Sequence, residues 1–291
     1  MDEQQSDLIH RYRRDGFVKA SGLLSRDEID AYRVAVDEAV ARRTAKDTRA
    51  FAEKTPYGQS FLQCLFLWED SPAVRPLTFH PNIAGLAARL LDTACVRLWH
   101  DQALYKEAGG RETEAHQDFA YWPVNEPDML TAWIPLVDVD EENGCMGYVA
   151  GTQEAPREFV DIFRSAGAGT AYAARHAQAQ YIPAKRGDVI FHGARTVHMA
   201  MPNRSVKTRA VHTVVYFRDG CTRTATGAST AQDRNGTKPG DRIAGPATPI
   251  AWPLPDGKLP QPPPPFRFAE AHRDLIRAGT VPAPDRDQAE W

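Results

Sequence analysis

The spacing of apolar positions changes near residue 95. Before it, the period is helical: Ile29, Tyr32, Val36, Ala39 and Val40 fall on one face of a helix. Ser25-Arg-Asp-Glu28 stands at its start as a capping box, because the serine oxygen and the glutamate carboxylate can satisfy orphan donors of the first turn. A second helix is predicted from Pro81 or Asn82 through Leu91, with Ile83, Leu86, Ala87, Leu90 and Leu91 apolar. Pro81 sits where a missing N–H costs nothing. From about residue 96 short β-branched and aromatic runs take over: Val96–Leu98, Ala132–Ile134, Val189–Phe191 and Ala210–Phe217. Turn clusters separate them, at Gly109-Gly110, Glu142-Asn143-Gly144, Arg186-Gly187-Asp188 and Pro202-Asn203-Arg204-Ser205. A helical part over about 1–95 followed by strands over about 96–220 predicts a mainly β barrel or sandwich with flanking helices.

The pattern ends differently. Residues 239–265 hold ten of the 22 prolines, which predicts an extended strap without regular structure. A short helix is expected around Phe268 to Arg277. The organisation read from this is one domain over 1–238, with 239–291 a proline-rich extension packed on it.

Composition narrows the classes. The 291 residues are 42% hydrophobic and 25% charged, which excludes a disordered chain, a collagen-like repeat and a coiled coil. No apolar run approaches the roughly 18 residues of a membrane helix. The opening, Met1 to Asp7, is polar and acidic rather than a secretory signal, so a cytoplasmic protein without a membrane partner is expected. A net charge of -3 argues against nucleic acid. Arg11, Arg13 and Arg14 read as a solvated helix face. Cys64, Cys95, Cys145 and Cys221 are spread without a C-x-x-C pair, as reduced thiols are.

The chemistry concentrates at His116-Gln-Asp118. On a strand, residues i and i+2 point to the same side, so imidazole and carboxylate would face one cavity. They are two thirds of the facial triad that holds non-haem Fe(II). Alone the pattern is not specific, because His272-Arg-Asp274 repeats it in what reads as a polar helix. His198 follows 82 residues after His116, just beyond a strand, and Arg209 follows on an apolar strand. A buried arginine needs a partner, which a dicarboxylate cosubstrate would supply bidentately.

Blocks along residues 10 to 217 then resemble a known family. They run from Asp15-Gly-Phe17 through Asp101-Gln-Ala-Leu-Tyr-Lys106, His116-Gln-Asp-Phe-Ala-Tyr-Trp-Pro123 and Thr131-Ala-Trp-Ile-Pro-Leu136. Glu142-Asn-Gly-Cys-Met146, Gly187-Asp188, Phe191-His-Gly193, His198, Pro202-Asn-Arg-Ser205 and Arg209 complete them. The chain resembles the phytanoyl-CoA dioxygenase family of Fe(II)- and 2-oxoglutarate-dependent oxygenases, in its bacterial hydroxylase branch. The resemblance implies a double-stranded β-helix (jelly roll) with iron held by His116, Asp118 and His198. It implies Arg209 on the C5 carboxylate of 2-oxoglutarate, and Gln102 and Trp133 lining the cosubstrate pocket. Lys106 matches a recurrent lysine of the family. Dioxygen and a small-molecule substrate are the implied partners, with hydroxylation as the reaction and desaturation or ring chemistry as variants. The carboxylate at 118 argues against halogenation, since related halogenases lack that ligand.

One departure matters: Ala200 stands where the family often has a serine whose hydroxyl helps hold 2-oxoglutarate, a hydrogen bond worth roughly 1.5–3 kcal/mol to a carboxylate. Tyr121 and Trp122 are candidates for the substrate mouth. Phe51 to Trp68, and the stretch after Cys221 with Arg223 and Arg234, are candidate lids. Asn143, Gly144 and Asn203 read as turn residues. Two rival classes stand beside this reading: a cupin-type metalloenzyme that does not use 2-oxoglutarate, and a non-catalytic binding module on the same fold.

Overall fold

Ser25 caps the helix Arg26–Thr44 as its motif requires: its hydroxyl accepts from Glu28 N at 3.2 Å, and the Glu28 carboxylate accepts from Ser25 N at 2.9 Å. Ile29, Val36, Ala39 and Val40 are the buried face of that helix. The second expected helix runs Pro81–Leu90 and buries Ile83, Leu86, Ala87 and Leu90. These are parts of a computed structural model that describes residues 3–160, 162, 167–227 and 229–264. The helix expected around Phe268 and the His272-Arg-Asp274 pattern lie outside the described residues.

The strands are β1 (Phe17–Ala20), β2 (Leu62–Leu65), β3 (Val96–Lys106), β4 (Thr113–His116), β5 (Met129–Pro135) and β6 (Met146–Tyr148), followed by β7 (Gln180–Ile182), β8 (Val189–Gly193), β9 (His198–Ala200), β10 (Arg209–Arg218) and β11 (Ile250–Trp252). The major sheet has the order β1-β8-β5-β10-β3-β11, with β2 also paired to β3; the minor sheet is β4-β9-β6-β7. All described pairings of these strands are antiparallel, and the two sheets enclose a cavity between them. This is the jelly roll with flanking helices. The outer face of the major sheet, with Leu98, Ile134, Phe191 and Val214, packs on the helices through Ile29, Val36, Ile83 and Leu86, so the main core lies there.

Two expectations are corrected. The first third is not helical throughout, because β1 and β2 come from it and join the major sheet. Both are four residues long, too short for a period-two pattern to stand out beside the helices. The proline-rich segment is not devoid of regular structure either: Ile250–Trp252 pairs with Val96 and Arg97 of β3. As an edge strand it tolerates flanking prolines, which donate nothing to a ladder.

Candidate metal centre and cosubstrate pocket

Register places the inner-face side chains in rungs. His100 of β3 lies opposite Val215 of β10, which lies opposite Thr131 of β5 and then His192 of β8. The next rung is Gln102, Thr213 and Trp133, and at the far end Lys106 pairs with Arg209. On the minor sheet His116 is opposite His198, which is opposite Tyr148. The space between is a cavity of about 160 Å³, lined from both sheets.

His116, Asp118 and His198 converge in it, each offering one ligand atom within 4.8 Å of the others. Strand β4 ends at His116. Gln117 stays extended, with its amide held by Arg195 O and Glu158 N, and Asp118 opens a 3-10 turn, so the i, i+2 alignment survives the end of the strand. His116 Nδ1 lies 2.7 Å from Glu114 O, and His198 Nδ1 lies 3.0 Å from Thr196 O. A carbonyl only accepts, so each Nδ1 carries a proton and each Nε2 is the atom turned toward the cavity for a metal. Both Nε2 atoms face Asp118 Oδ1, at 3.6 and 3.7 Å. The other oxygen, Oδ2, accepts from the Thr131 hydroxyl at 3.0 Å and lies 3.4 Å from His192 Nε2. One oxygen thus faces the imidazole pair while the other is held from behind. Burial opposes ionisation of Asp118, but His198, His116 and His192 outweigh it and hold the carboxyl well below its usual range. Burial, reinforced by His116, pushes His198 down to about 3, so its imidazole is neutral. A carboxylate with two imidazoles whose Nε2 atoms face it fits Fe(II).

Arg209 fits the cosubstrate. Its residue is 2% exposed, its guanidinium carbon lies 5.6 Å from the centre of the Trp133 ring, and its Nε has no hydrogen-bond partner. Among the described residues no carboxylate forms an ion pair with it. Burial pushes its pKa down to about 10, so it remains charged at neutral pH. A buried cation of this kind calls for an anionic ligand. Gln102 and Trp133 both line the cavity, as do Tyr121 and Trp122. Lys106 does not line it: the side chain is buried, and Nζ donates to Arg111 O and lies 3.4 Å from Thr113 Oγ1. Burial and the neighbouring Arg209 push it down to about 6. Ala200 has Thr113 as its cross-strand partner, and Thr113 lines the same cavity, so a hydroxyl stands on that rung from the adjoining strand.

Of the candidate lids, Phe51–Trp68 does reach the cavity, through Tyr57, Phe61 and Gln63. Arg223 and Arg234 do not; they pair with Asp233 and Glu69. Asn203 holds the turn as expected, donating to the carbonyls of Lys106, Glu107 and Lys207. Sequence reasoning missed His192, His100, Thr131, Thr213 and Thr113. The signal for His100 was its two-residue spacing from Gln102 and Leu104 along one strand.

A jelly roll with this cavity is the architecture of the 2-oxoglutarate-dependent non-haem iron dioxygenases. The family model for phytanoyl-CoA dioxygenase (PhyH) matches residues 12–211. The ectoine dioxygenase of Bordetella parapertussis is 27% identical over 241 residues, 74% of this chain and 76% of that protein. The crystal structure of the non-haem α-ketoglutarate-dependent carbocyclase SnoK, from nogalamycin biosynthesis, is similar at TM-score 0.70 and 30% identity, over 86% of this chain and 96% of its own. The epimerase SnoN, solved with Fe3+, α-ketoglutarate and nogalamycin RO, is similar at TM-score 0.67 and 27% identity, over 85% and 98%. The chain belongs to the phytanoyl-CoA dioxygenase family and is an iron- and 2-oxoglutarate-dependent dioxygenase. No helix among the described residues is long and apolar enough to cross a membrane.

Proposed function

We propose that the protein hydroxylates an unactivated C–H bond of a small-molecule metabolite, with succinate and carbon dioxide as co-products. His116, Asp118 and His198 hold the iron, and Arg209 grips the C5 carboxylate of 2-oxoglutarate. The observation that carries this is the pairing of an iron-type ligand set with a buried guanidinium lacking an ion-pair partner in one cavity. Bound there, the metal and cosubstrate supply the oxidising chemistry with dioxygen.

The chain's own residues do the rest. Thr131 and His192 fix the Asp118 oxygen that faces away from the imidazoles. Glu114 O and Thr196 O fix the histidine tautomers. Trp133 packs beside the guanidinium, and Gln102 adds a polar wall to the cosubstrate end. Tyr121 and Trp122 stand at the substrate side. An arginine so placed also speaks against a cupin-type enzyme without the cosubstrate, and an intact ligand set against a pure binding module.

A second reading has its own support. The two solved relatives above are a carbocyclase and an epimerase, so ring closure or epimerisation at the same site stands beside hydroxylation. Aerobic turnover of candidate metabolites with Fe(II) and 2-oxoglutarate, followed by mass spectrometry, separates them. Gain of one oxygen atom in the product supports hydroxylation. Loss of two hydrogens, or an unchanged mass with altered retention, overturns it in favour of the second reading.

A further inference from the structure

Resting on that cofactor reading, the cavity also constrains what the enzyme oxidises. Asp118 and Arg209 are the charged side chains, histidines aside, among the described residues that line it. Four rings, Tyr57, Phe61, Tyr121 and Trp122, form walls on the substrate side. Both phenol groups are spent within the protein: Tyr57 donates to Gln63 Oε1 at 2.9 Å, and Tyr121 to Val160 O. Their rings are therefore left as apolar surface. Arg111 lies in an adjoining groove that shares Tyr57 and Phe61 with the cavity, flanked there by Glu112 and Glu114, and Lys54 is paired with Glu107.

One polar group on this wall differs from the others. His100 stands between Phe66 and Trp122, with ring centres at 6.1 and 6.2 Å and near-perpendicular planes, and makes no hydrogen bond to the described residues. Burial pushes it down to about 4, so it is a neutral imidazole with one donor and one acceptor. Through Val215 it lies on the rung of Thr131, the residue that holds Asp118. The imidazole is half-buried and faces the cavity without a protein partner, and a substrate oxygen placed beside the metal would give it one.

We propose that His100 is a specificity residue that hydrogen-bonds a hydroxyl or carbonyl oxygen of an uncharged, ring-bearing substrate held between the aromatic walls. Among the described residues that line this side of the cavity, an acyl-CoA or a zwitterion finds no countercharge. A site built to bond an oxygen discriminates strongly against ligands that leave its group unpaired.

The test uses full-length protein loaded anaerobically with Fe(II) and 2-oxoglutarate, and calorimetric titration with 1-tetralone, 1-hydroxyanthraquinone, testosterone, ectoine and hexanoyl-CoA. The cofactor band is read before any probe is added, so failure of the cofactor reading shows there, and the probe arms still decide the substrate class. The expected result is that a neutral ring compound binds at least roughly tenfold tighter than ectoine and hexanoyl-CoA. His100→Phe should weaken that probe about tenfold, the worth of one neutral hydrogen bond, with 2-oxoglutarate affinity unchanged. His100→Gln, which keeps a donor and an acceptor, should recover most of the loss. Binding of ectoine or hexanoyl-CoA as tight as the best neutral probe overturns the proposal. So does binding by none of the neutral probes, or a His100→Phe protein with undiminished probe affinity.

Discussion

Asp101 and Asp118 lie on opposite sides of the major sheet, each facing histidine, and the contrast shows what separates a structural pair from a metal site. Asp101 is fully buried; its Oδ2 accepts from Trp68 N at 3.0 Å and Thr78 Oγ1 at 2.8 Å and lies 3.5 Å from His212 Nε2. The cluster stitches β3 and β10 to the segment 67–78, and both side chains are closed to solvent. Burial pushes Asp101 up to about 7 and His212 down to about 3, so both tend to the neutral form. Asp118 has the reverse electrostatics, ionised against three imidazoles, and its side chain is 20% exposed to the cavity. Lone pairs that converge on accessible space make a ligand set; a carboxyl shut away from solvent, with one oxygen on a backbone and a hydroxyl donor, makes a clamp.

Breaking each side should give different losses. Asp118→Ala removes a proposed ligand and should cost more than the roughly 100-fold that outer partners of a metal site are worth, with loss of bound Fe(II) in equilibrium dialysis. Arg209→Ala should leave Fe(II) binding in place and raise the Kd for 2-oxoglutarate by roughly 30- to 150-fold, about 2–3 kcal/mol for a charge-assisted bidentate contact. Thr131→Val removes the hydroxyl on Asp118 Oδ2 and should weaken Fe(II) about tenfold, the low end for such partners.

Asp101→Asn should leave turnover intact and act only on stability. The folded pKa of Asp101 is raised, so between about 4 and 7 the native state binds the extra proton and its stability falls as pH rises. His212 is lowered and works in the opposite sense from about 3 to 6.5, so the two slopes offset each other in the wild type. Asparagine removes only the Asp101 slope. The variant should therefore gain on the wild type as pH rises from about 4 to 7, by up to about 1.4 kcal/mol per pH unit, read from denaturant melts. A constant difference across that range would show that Asp101 is ionised in the fold.

The sequence carried the ligand side of this contrast better than the rest. His116 and Asp118 are two apart, and His198 and Arg209 follow on strands, so order and spacing alone brought the four together. His192 escaped because a single histidine in Val189–Gly193 looks like core; only register sets it against Thr131. β3 was read over three residues rather than 11, since His100, Asp101 and Gln102 interrupt its apolar run. They are polar because one face serves the cavity and the other the Asp101 cluster, which is the case where local pattern yields to function. Tyr57 and Gln63 reach the cavity from a segment whose pairing to β3 is long-range and leaves no local mark.

The most direct measurement is anaerobic addition of Fe(II) and then 2-oxoglutarate to the metal-free protein, following the weak visible charge-transfer band of the chelated cosubstrate. The wild type should form the band, His198→Ala should not, and Arg209→Ala should need far more 2-oxoglutarate to reach it. A wild type without the band, or an Arg209→Ala protein that titrates like the wild type, would contradict the assignment of this cavity to iron and 2-oxoglutarate.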